Sequence, residues 1–505
     1  MKSGPRRRTA TTGSAGKGIS FSALAGVASL LAALLLLPLI IATVGPEDYG
    51  VWLVILAIAS FLFYLDLGVG SAVVHFMARS RSGDESSKPD AIASTAHAWS
   101  VVAAGGAAVA FGILSWVYIS TQGTSTGIPQ GDLVILVGCG YALVLSMVLR
   151  PMSSVLSGAG FLHIERGNQI FGVAIRILGT LAACSFSPSV GAVAIAETLA
   201  LVAPTIASLV GVRKRNLVRI RVQYVSRSEL QRMFRYSVGA FSVSMVGAAI
   251  LQCGTLLIGY MGSPAQVTYF NAAFRIYSSV RQIIGWLTDP FRPVLSRLFV
   301  KDHAKAGTVL YDLLFVAFIT SATGCVFLIL SLPLLLEVWL GQGAPLLEVQ
   351  NAASILLAGL ILNAIHIPLI PASDAAGRPG AFLPHQTAWL ICYAGLSIVL
   401  FPHFGITGVT LAMTAPLPII ELAYLIRAQS TVGLAGNMWH KRVIRPSLPV
   451  LFVGLLAAIF IFAMQGRLSI IIASFGFIVL TFLTLFLSRK LWSYKSILSS
   501  LRLES

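Results

Sequence analysis

Fourteen apolar stretches follow one another along this chain, each close to the length that crosses a bilayer. Their approximate limits are 18–44, 50–78, 91–119, 132–159, 168–186, 190–211, 236–261, 265–299, 306–334, 346–372, 381–401, 405–427, 446–465 and 468–488. A helix needs about 20 apolar residues to span the hydrocarbon core. The turns between the stretches carry Gly, Pro, Asp and Ser, as in GPEDYG (45–50), GSP (262–264) and PHFG (402–405). Only 10% of the residues are charged, against about 25% in an ordinary soluble domain. The chain is therefore an all-α polytopic membrane protein. Its first stretch, Ile19–Val44, is too long for a signal-peptide core and reads as a retained helix.

The distribution of Lys and Arg orients the spans. With the N-terminus inside, thirty of the 35 fall in the tails and inner loops, and a single one, Arg467, falls in an outer turn. Cationic loops stay cytoplasmic, so both termini are expected there. The net charge of +17 does not indicate nucleic acid, because the cations lie between apolar spans, where anionic lipid faces them. The eight cations of Arg213–Arg235 read as a topology determinant; docking of a cytoplasmic partner is the sharper alternative. The five cysteines are isolated in apolar segments, which excludes a disulfide frame and a zinc site. No Walker motif occurs, and GVGSAV (68–73) follows no strand, so it reads as helix packing. No cofactor or metal is expected.

The chain repeats itself at a spacing of 217 residues. Gly45 and Gly262, Pro151 and Pro368, Gly160 and Gly377, and Gly191 and Gly408 occupy equivalent topological positions. The expected organisation is an N-terminal lobe of helices 1–6 (residues 1–211), a basic linker (212–235) and a C-terminal lobe of helices 7–12 (236–427). Helices 13 and 14 and a tail (446–505) complete the chain. Parallel six-helix repeats are a mark of secondary transporters.

The eighth span, Gln266–Phe299, is the least uniform. Asn271, Arg275, Ser278, Gln282 and Asp289 recur at helical steps along one side, while Ile276, Val280, Ile283, Ile284 and Leu287 fall largely elsewhere. Four arginines, Arg150, Arg176, Arg275 and Arg281, lie within spans. An arginine at mid-bilayer costs roughly 2.5–3.5 kcal/mol on insertion scales, so it normally faces protein or a wet cavity. Two readings stand. In one, these arginines with Asn271 and Gln282 line a cleft between lobes and hold an anion by bidentate hydrogen bonds. In the other they pair with Asp66, Glu197 or Asp289 and fix the packing, with Arg150 and Arg281 also able to snorkel to the inner surface. Asp66 and Glu197 are candidates for coupling to H+ or Na+, as lone carboxyls deep in spans, with a structural ion pair as the plainer role. Asn271 also suits an interhelical hydrogen bond, and His75 and His97 read as satisfied or interfacial histidines.

The segment VGPEDYGVW…FLFYLDLGVGSAVVHFMAR (44–79), the segment YMGSPAQVTYFNAAFRIYSSVRQIIGWLTDPFRPVLSRLF (260–299) and LLLEVWLGQG (334–343) resemble the polysaccharide flippases of the Wzx type. These belong to the multidrug/oligosaccharidyl-lipid/polysaccharide (MOP) exporter superfamily. The resemblance implies a V-shaped pair of six-helix lobes in a bacterial plasma membrane. It further implies, by alternating access, export of an undecaprenyl-diphosphate-linked oligosaccharide, with the helices bent near Pro151 and near Pro290 or Pro293 helping to gate. Partners would be membrane lipids, the lipid-linked substrate and the polysaccharide polymerase machinery. A drug or metabolite antiporter of the same superfamily is the alternative, but that branch carries a carboxyl in its first helix and Ile19–Val44 has none. A lipid II flippase is a nearer alternative. An enzyme, such as a membrane polymerase or glycosyltransferase, would need an acidic motif or a large outer loop, and the longest outer loop, 120–131, supplies neither.

Overall fold

The computed structural model describes residues 12–81, 88–122, 127–434, 440–464 and 467–487. Most of both expected cytoplasmic tails lies outside these residues. Among the described residues every regular element is helical, as a lipid environment demands: within hydrocarbon a backbone N–H or C=O must find its partner inside its own segment. Ten segments of the described chain are long and apolar enough to cross a membrane. The expectation of fourteen spans departs from this in three places. Pro264–Thr288 is not among the ten: its two arginines together with Gln266, Asn271, Ser278, Ser279 and Gln282 leave it less apolar than the others. Leu383–Val432 counts as one apolar stretch by length, but its backbone breaks at Gly405 (φ 55°, ψ −138°) into two helices, where the sequence placed the boundary between two spans. The last two spans contribute only the shorter apolar helices Ser447–Ala457 and Ile470–Thr481.

The chain forms two compact units, Met1–Phe241 and Ser242–Ser505. Unit one contains α1 (Thr12–Val44), α2 (Pro46–Leu62), α3 (Val69–Arg81), α4 (Pro89–Gln122), α5 (Gln130–Ser146), α6 (Arg150–Gly158), α7 (Leu162–Phe186) and α8 (Val190–Lys214). Helix α9 (Arg227–Met261) runs across the boundary. Unit two continues with α10 (Pro264–Thr288), α11 (Arg292–Lys301), α12 (His303–Leu340), α13 (Leu346–Asn363), α14 (His366–Ala375), α15 (Leu383–Thr414) and α16 (Leu417–Val432). Two further helices, α17 (Arg445–Met464) and α18 (Arg467–Leu487), end the described chain.

The basic segment expected as a linker is held to α4 of unit one. Asp90 Oδ1 accepts from the Arg219 amide at 2.8 Å, Ser94 Oγ from the Arg221 amide at 3.1 Å, and Thr95 Oγ1 from the Ser226 amide at 3.0 Å.

Each unit breaks its helices in the same order. In unit one, 3-10 turns at Phe63–Asp66 and Met147–Leu149 split α2 from α3 and α5 from α6. In unit two, a 3-10 turn at Asp289–Phe291 and the turn at 364–365 split α10 from α11 and α13 from α14. Pro151 sits in the first turn of α6, where its missing N–H is tolerated. The short helices α6 and α14 both run into a glycine with positive φ, Gly160 (84°) and Gly377 (73°), at the repeat spacing seen in the sequence. The core of unit one packs α3 (Val69, Val73, Met77) on α4 (Ile92, Ala96) and α6 (Met152, Val155, Leu156). Closeness there depends on Gly158, whose missing Cβ would lie 2.8 Å from the Val74 carbonyl oxygen. Large apolar side chains such as Trp116, Phe186 and Ile391 are exposed, as lipid-facing residues are.

The break after α2 is the most constrained backbone in unit one. Leu67 and Gly68 both have positive φ, 55° and 73°, and a Cβ on Gly68 would lie 3.0 Å from Phe241 Cβ. Gly68→Ala is expected to lower stability by about 1–3 kcal/mol, read as a lower melting temperature in detergent. Gly106→Ala, whose added Cβ meets nothing within 4 Å, serves as the control and is expected to leave the melt unchanged or raise it.

Candidate functional site

The sequence-selected residues fall into three groups. The first forms where two helix breaks face each other in unit one. Asp66, at the end of the 3-10 turn after α2, is 5% exposed. Its Oδ1 accepts from the Gly68 amide at 3.0 Å and its backbone carbonyl from Trp99 Nε1 at 3.1 Å. Its Oδ2 receives Arg150 Nη1 at 3.0 Å. The same Arg150 nitrogen donates to the Phe63 carbonyl at 3.1 Å, and the guanidinium lies 4.8 Å from the Phe63 ring centroid. Arg150 opens α6, so both partners stand at helix interruptions, where the backbone has lost its own ladder. The Arg150 side chain is still 35% exposed. It has open donors for an anion, while Asp66 is engaged with the break.

The second group is built on a fully bonded carboxylate, although Arg176 Nε is buried without a hydrogen-bond partner. Arg176 on α7 donates from Nη2 to Glu197 Oε1 on α8 at 2.8 Å. Glu197 also accepts from Trp52 Nε1 at 2.7 Å and from the Tyr49 hydroxyl at 3.4 Å, both on α2. Glu197 is 3% exposed, and Tyr49 and Trp52 are fully buried. Helix α7 starts at Leu162 rather than near residue 168, so Arg176 lies about 20 Å along it at 1.5 Å per residue. The other two donors to Glu197, Tyr49 and Trp52, stand in the first turns of α2. The arrangement ties three helices together through one carboxylate with three donors, the geometry in which a buried charge is tolerated.

The third group is the polar side of α10 in unit two. Ile276, Tyr277, Val280 and Ile284 are buried, whereas Arg275, Ser278 and Arg281 are half-buried and Gln282 is exposed. The stripe read from the sequence is therefore the less buried side of the helix. Asn271 is used inside the unit: its Nδ2 donates to the Val267 carbonyl at 2.9 Å and to Thr255 Oγ1 on α9 at 3.3 Å. The Arg275 carbonyl accepts from the Ser278 and Ser279 hydroxyls at 3.1 and 2.7 Å. Arg281 Nε is buried without a hydrogen-bond partner. The α10 stripe comes from unit two, and the two ion pairs come from unit one.

Sequence reasoning missed a further buried pair. His366 opens α14 and Glu421 lies on α16; His366 Nδ1 and Glu421 Oε1 are 2.7 Å apart, and both side chains are fully enclosed. Each is a lone polar residue in an apolar stretch, and no spacing links residues on separate spans. The available signal was chemical: an isolated glutamate inside a span needs a partner. Among the described residues no group of three or more His, Cys, Asp or Glu is placed to hold a metal ion.

The Arg176–Glu197 pair yields a stability test. Arg176→Gln or Glu197→Gln is expected to cost about 3–5 kcal/mol, because the remaining charge is left buried and unpaired. The double change Arg176→Gln with Glu197→Gln should cost less than the sum of the singles. Thermal melts of the four proteins in detergent check this, and strict additivity would show the pair to be uncoupled.

With this geometry in view, the chain can be set against known proteins. No curated protein sequence matches it. Among solved structures it is similar to the lipid II flippase MurJ in an inward closed conformation, with a TM-score of 0.71 at 14% identity, covering 94% of this chain and 99% of that one. It is also similar to a multidrug resistance MATE family transporter of the MOP superfamily in its inward-facing conformation, with a TM-score of 0.66 at 15% identity over 80% of this chain and 94% of the other. A MATE structure in the bent conformation gives 0.58 at 16% identity over 84% and 98%. The fold is thus that of the MOP superfamily. The family described as "Polysaccharide biosynthesis protein" matches residues 15–299, more than half of the chain. That stretch runs from α1 through the whole of α10, including both ion pairs of unit one and the polar stripe, and it makes the chain a member of the polysaccharide biosynthesis protein family.

Proposed function

We propose that the protein moves a polyprenyl-diphosphate-linked oligosaccharide from the inner to the outer leaflet of a bacterial plasma membrane, by alternating access and with both termini cytoplasmic. The observation that carries this reading is the polar side of α10. Arg275 and Arg281 lie half-buried within a span, and the Arg281 guanidinium keeps a buried nitrogen without a protein acceptor. A diphosphate supplies the acceptors such groups take, in charge-assisted and bidentate form. The half-exposed guanidinium of Arg150 is the matching candidate in unit one. Arg176 is given a packing role, since its carboxylate partner is fully engaged. Family membership in polysaccharide biosynthesis supports a glycan-bearing cargo, and the MOP fold supports transport.

A second reading, export of lipid II, is favoured by the likeness to a lipid II flippase over 94% of the chain. It shares the diphosphate head and differs in the sugar. Ion-coupled drug antiport is a third, supported by the likeness to MATE transporters. The energy source in all three is an ion gradient or removal of product outside, with H+ or Na+ as the candidate ions and the polysaccharide polymerase machinery as a candidate partner.

Deletion of the protein in its native host, followed by leaflet-resolved analysis of polyprenyl-linked sugars, separates the three. Build-up of a lipid-linked oligosaccharide on the cytosolic side supports the proposal. Build-up of lipid II supports the second reading, and unchanged glycan export with altered dye resistance the third. Single Ala changes at Arg275, Arg281 and Arg150 should each lower export about 10- to 100-fold at normal protein level, the equivalent of a lost charged hydrogen bond of about 1.5–3 kcal/mol. Normal export in all three would sink the anion cradle.

A further inference from the structure

In unit two, the turn between α14 and α15 and the last turns of α16 enclose a cavity of about 480 Å³, a volume in the range of small-ligand sites. Its walls include Arg378, Pro379 and Gly380 from the turn and Arg427, Ser430 and Thr431 from α16. The distribution of Lys and Arg assigns this end of the spans to the cytoplasm. Arg378 Nη1 donates to the Ser430 carbonyl at 2.6 Å and so ties the turn to the end of α16. That bond uses one of the five N–H donors of the guanidinium. Both arginines are exposed, and no acidic side chain is among the described residues that line the cavity. Arg150, Arg166, Arg176, Arg232 and Arg467 each meet a carboxylate. Among the described residues Arg378 and Arg427 meet none, although they share one cavity.

The twin turn of unit one is built differently. There Gly160 is followed by Phe161, and the guanidinium groups of Arg81 and Arg215 lie 5.7 and 5.5 Å from the Phe161 ring centroid. Arg81 donates to the Ala159 carbonyl at 2.8 Å, and Arg215, at the end of α8, to the Gly211 carbonyl at 3.2 Å. Two arginines thus converge on a ring of their own chain, an arrangement that cation–π attraction favours. At the repeat spacing of 217 residues, the counterpart of Phe161 is Arg378 itself. No lining residue of the unit-two cavity is aromatic. The same corner of the repeat therefore holds two cations in each unit, but only in unit one does a phenyl ring stand between them and solvent.

The geometry points to a phosphate-binding site between Arg378 and Arg427 that takes the head group of an anionic, phosphate-bearing lipid. Two guanidinium forks in one cavity without a carboxylate present paired donors to an anion, and phosphate oxygens match that fork. The surface of α16 indicates that the phosphate belongs to a lipid. Ile419, Leu422 and Ile426 are 76%, 57% and 60% exposed, and with Ser430 they follow one another at steps of three and four along one side of the helix. The stripe ends at Ser430, in the cavity wall. From Ile419 to Ser430 it runs about 16 Å at 1.5 Å per residue, close to the hydrocarbon depth of one leaflet, about 15 Å. An acyl chain lying on the stripe brings its phosphate to the two arginines. The site uses none of the arginines assigned to the cargo and does not depend on what the protein carries.

Phenylglyoxal reacts with accessible guanidinium groups, and peptide mass spectrometry reads each arginine separately. Purified full-length protein is placed in nanodiscs of phosphatidylcholine, of phosphatidylcholine with phosphatidic acid, or of phosphatidylcholine with inorganic pyrophosphate in solution, at matched ionic strength. Arg213 and Arg221, exposed in unit one, report the general effect of a charged surface. Phosphatidic acid should slow modification of Arg378 and Arg427 about tenfold more than that of the two reporters, the scale of a charged hydrogen bond. Arg427→Gln should return Arg378 to its rate in phosphatidylcholine, and Arg378→Gln should do the same for Arg427, because the site needs both forks. Should Arg378→Gln fail to fold, Arg427→Gln, which leaves the Arg378–Ser430 bond in place, carries this arm. Protection by phosphatidic acid, with or without a matching effect of pyrophosphate, supports the lipid site. Protection by pyrophosphate alone would overturn the lipid in favour of a soluble phosphate. Rates alike in all three preparations, the outcome if Arg378 only caps α16, would overturn the site. So would protection no greater than that of Arg213 and Arg221.

Discussion

A charge in hydrocarbon has to be answered by another group, and this fold supplies the answers mainly where helices are interrupted. An intact span exposes only side chains, because its backbone is self-satisfied. A 3-10 turn or a left-handed residue frees amides and carbonyls inside the slab, and polar side chains gather on them. Asp66 holds the Gly68 amide and Arg150 with one carboxylate. Arg150 in turn reaches the Phe63 carbonyl at the same interruption. His366 follows the break that ends α13. The interruptions recur in the same order in both units, so each unit places its polar chemistry by the same device.

Two of the internal ion pairs, Arg176–Glu197 and His366–Glu421, differ in kind. Glu197 gathers Arg176, Trp52 and Tyr49 from three directions and leaves little capacity unused. Glu421 has His366 on one oxygen and nothing on the other. A carboxylate with every lone pair answered serves packing. A carboxylate with one oxygen bare, as in Glu421, is held by fewer bonds than its burial calls for.

Much of the architecture was legible before any coordinates. The apolar spans and the side of α10 carrying Arg275, Arg281 and Gln282 follow from hydropathy and helical periodicity, which are local properties. The 217-residue repeat is also visible in the backbone, as the positive φ of Gly160 and Gly377. Pairings were less accessible. Asp66 and Glu197 were natural partners for buried arginines, but periodicity gives no means of matching Arg150 to one and Arg176 to the other across separate helices. The His366–Glu421 contact left no trace beyond two lone polar residues. The extent of α7 was misjudged because its first turns, LHIERG, are polar, and a hydropathy window begins the helix too late. At Gly405 the boundary expected between two spans is a break of a single residue, which PHFG (402–405) announced.

The basic segment after α8 is fastened to α4 through its own main chain. The amides of Arg219, Arg221 and Ser226 are the donors, and Asp90, Ser94 and Thr95 are the acceptors. The path of this segment is consequently written in three side chains of α4 and not in the arginines it displays. The charge on its surface and the route of the polypeptide are therefore separable: an arginine there can be exchanged without cutting any of the three bonds.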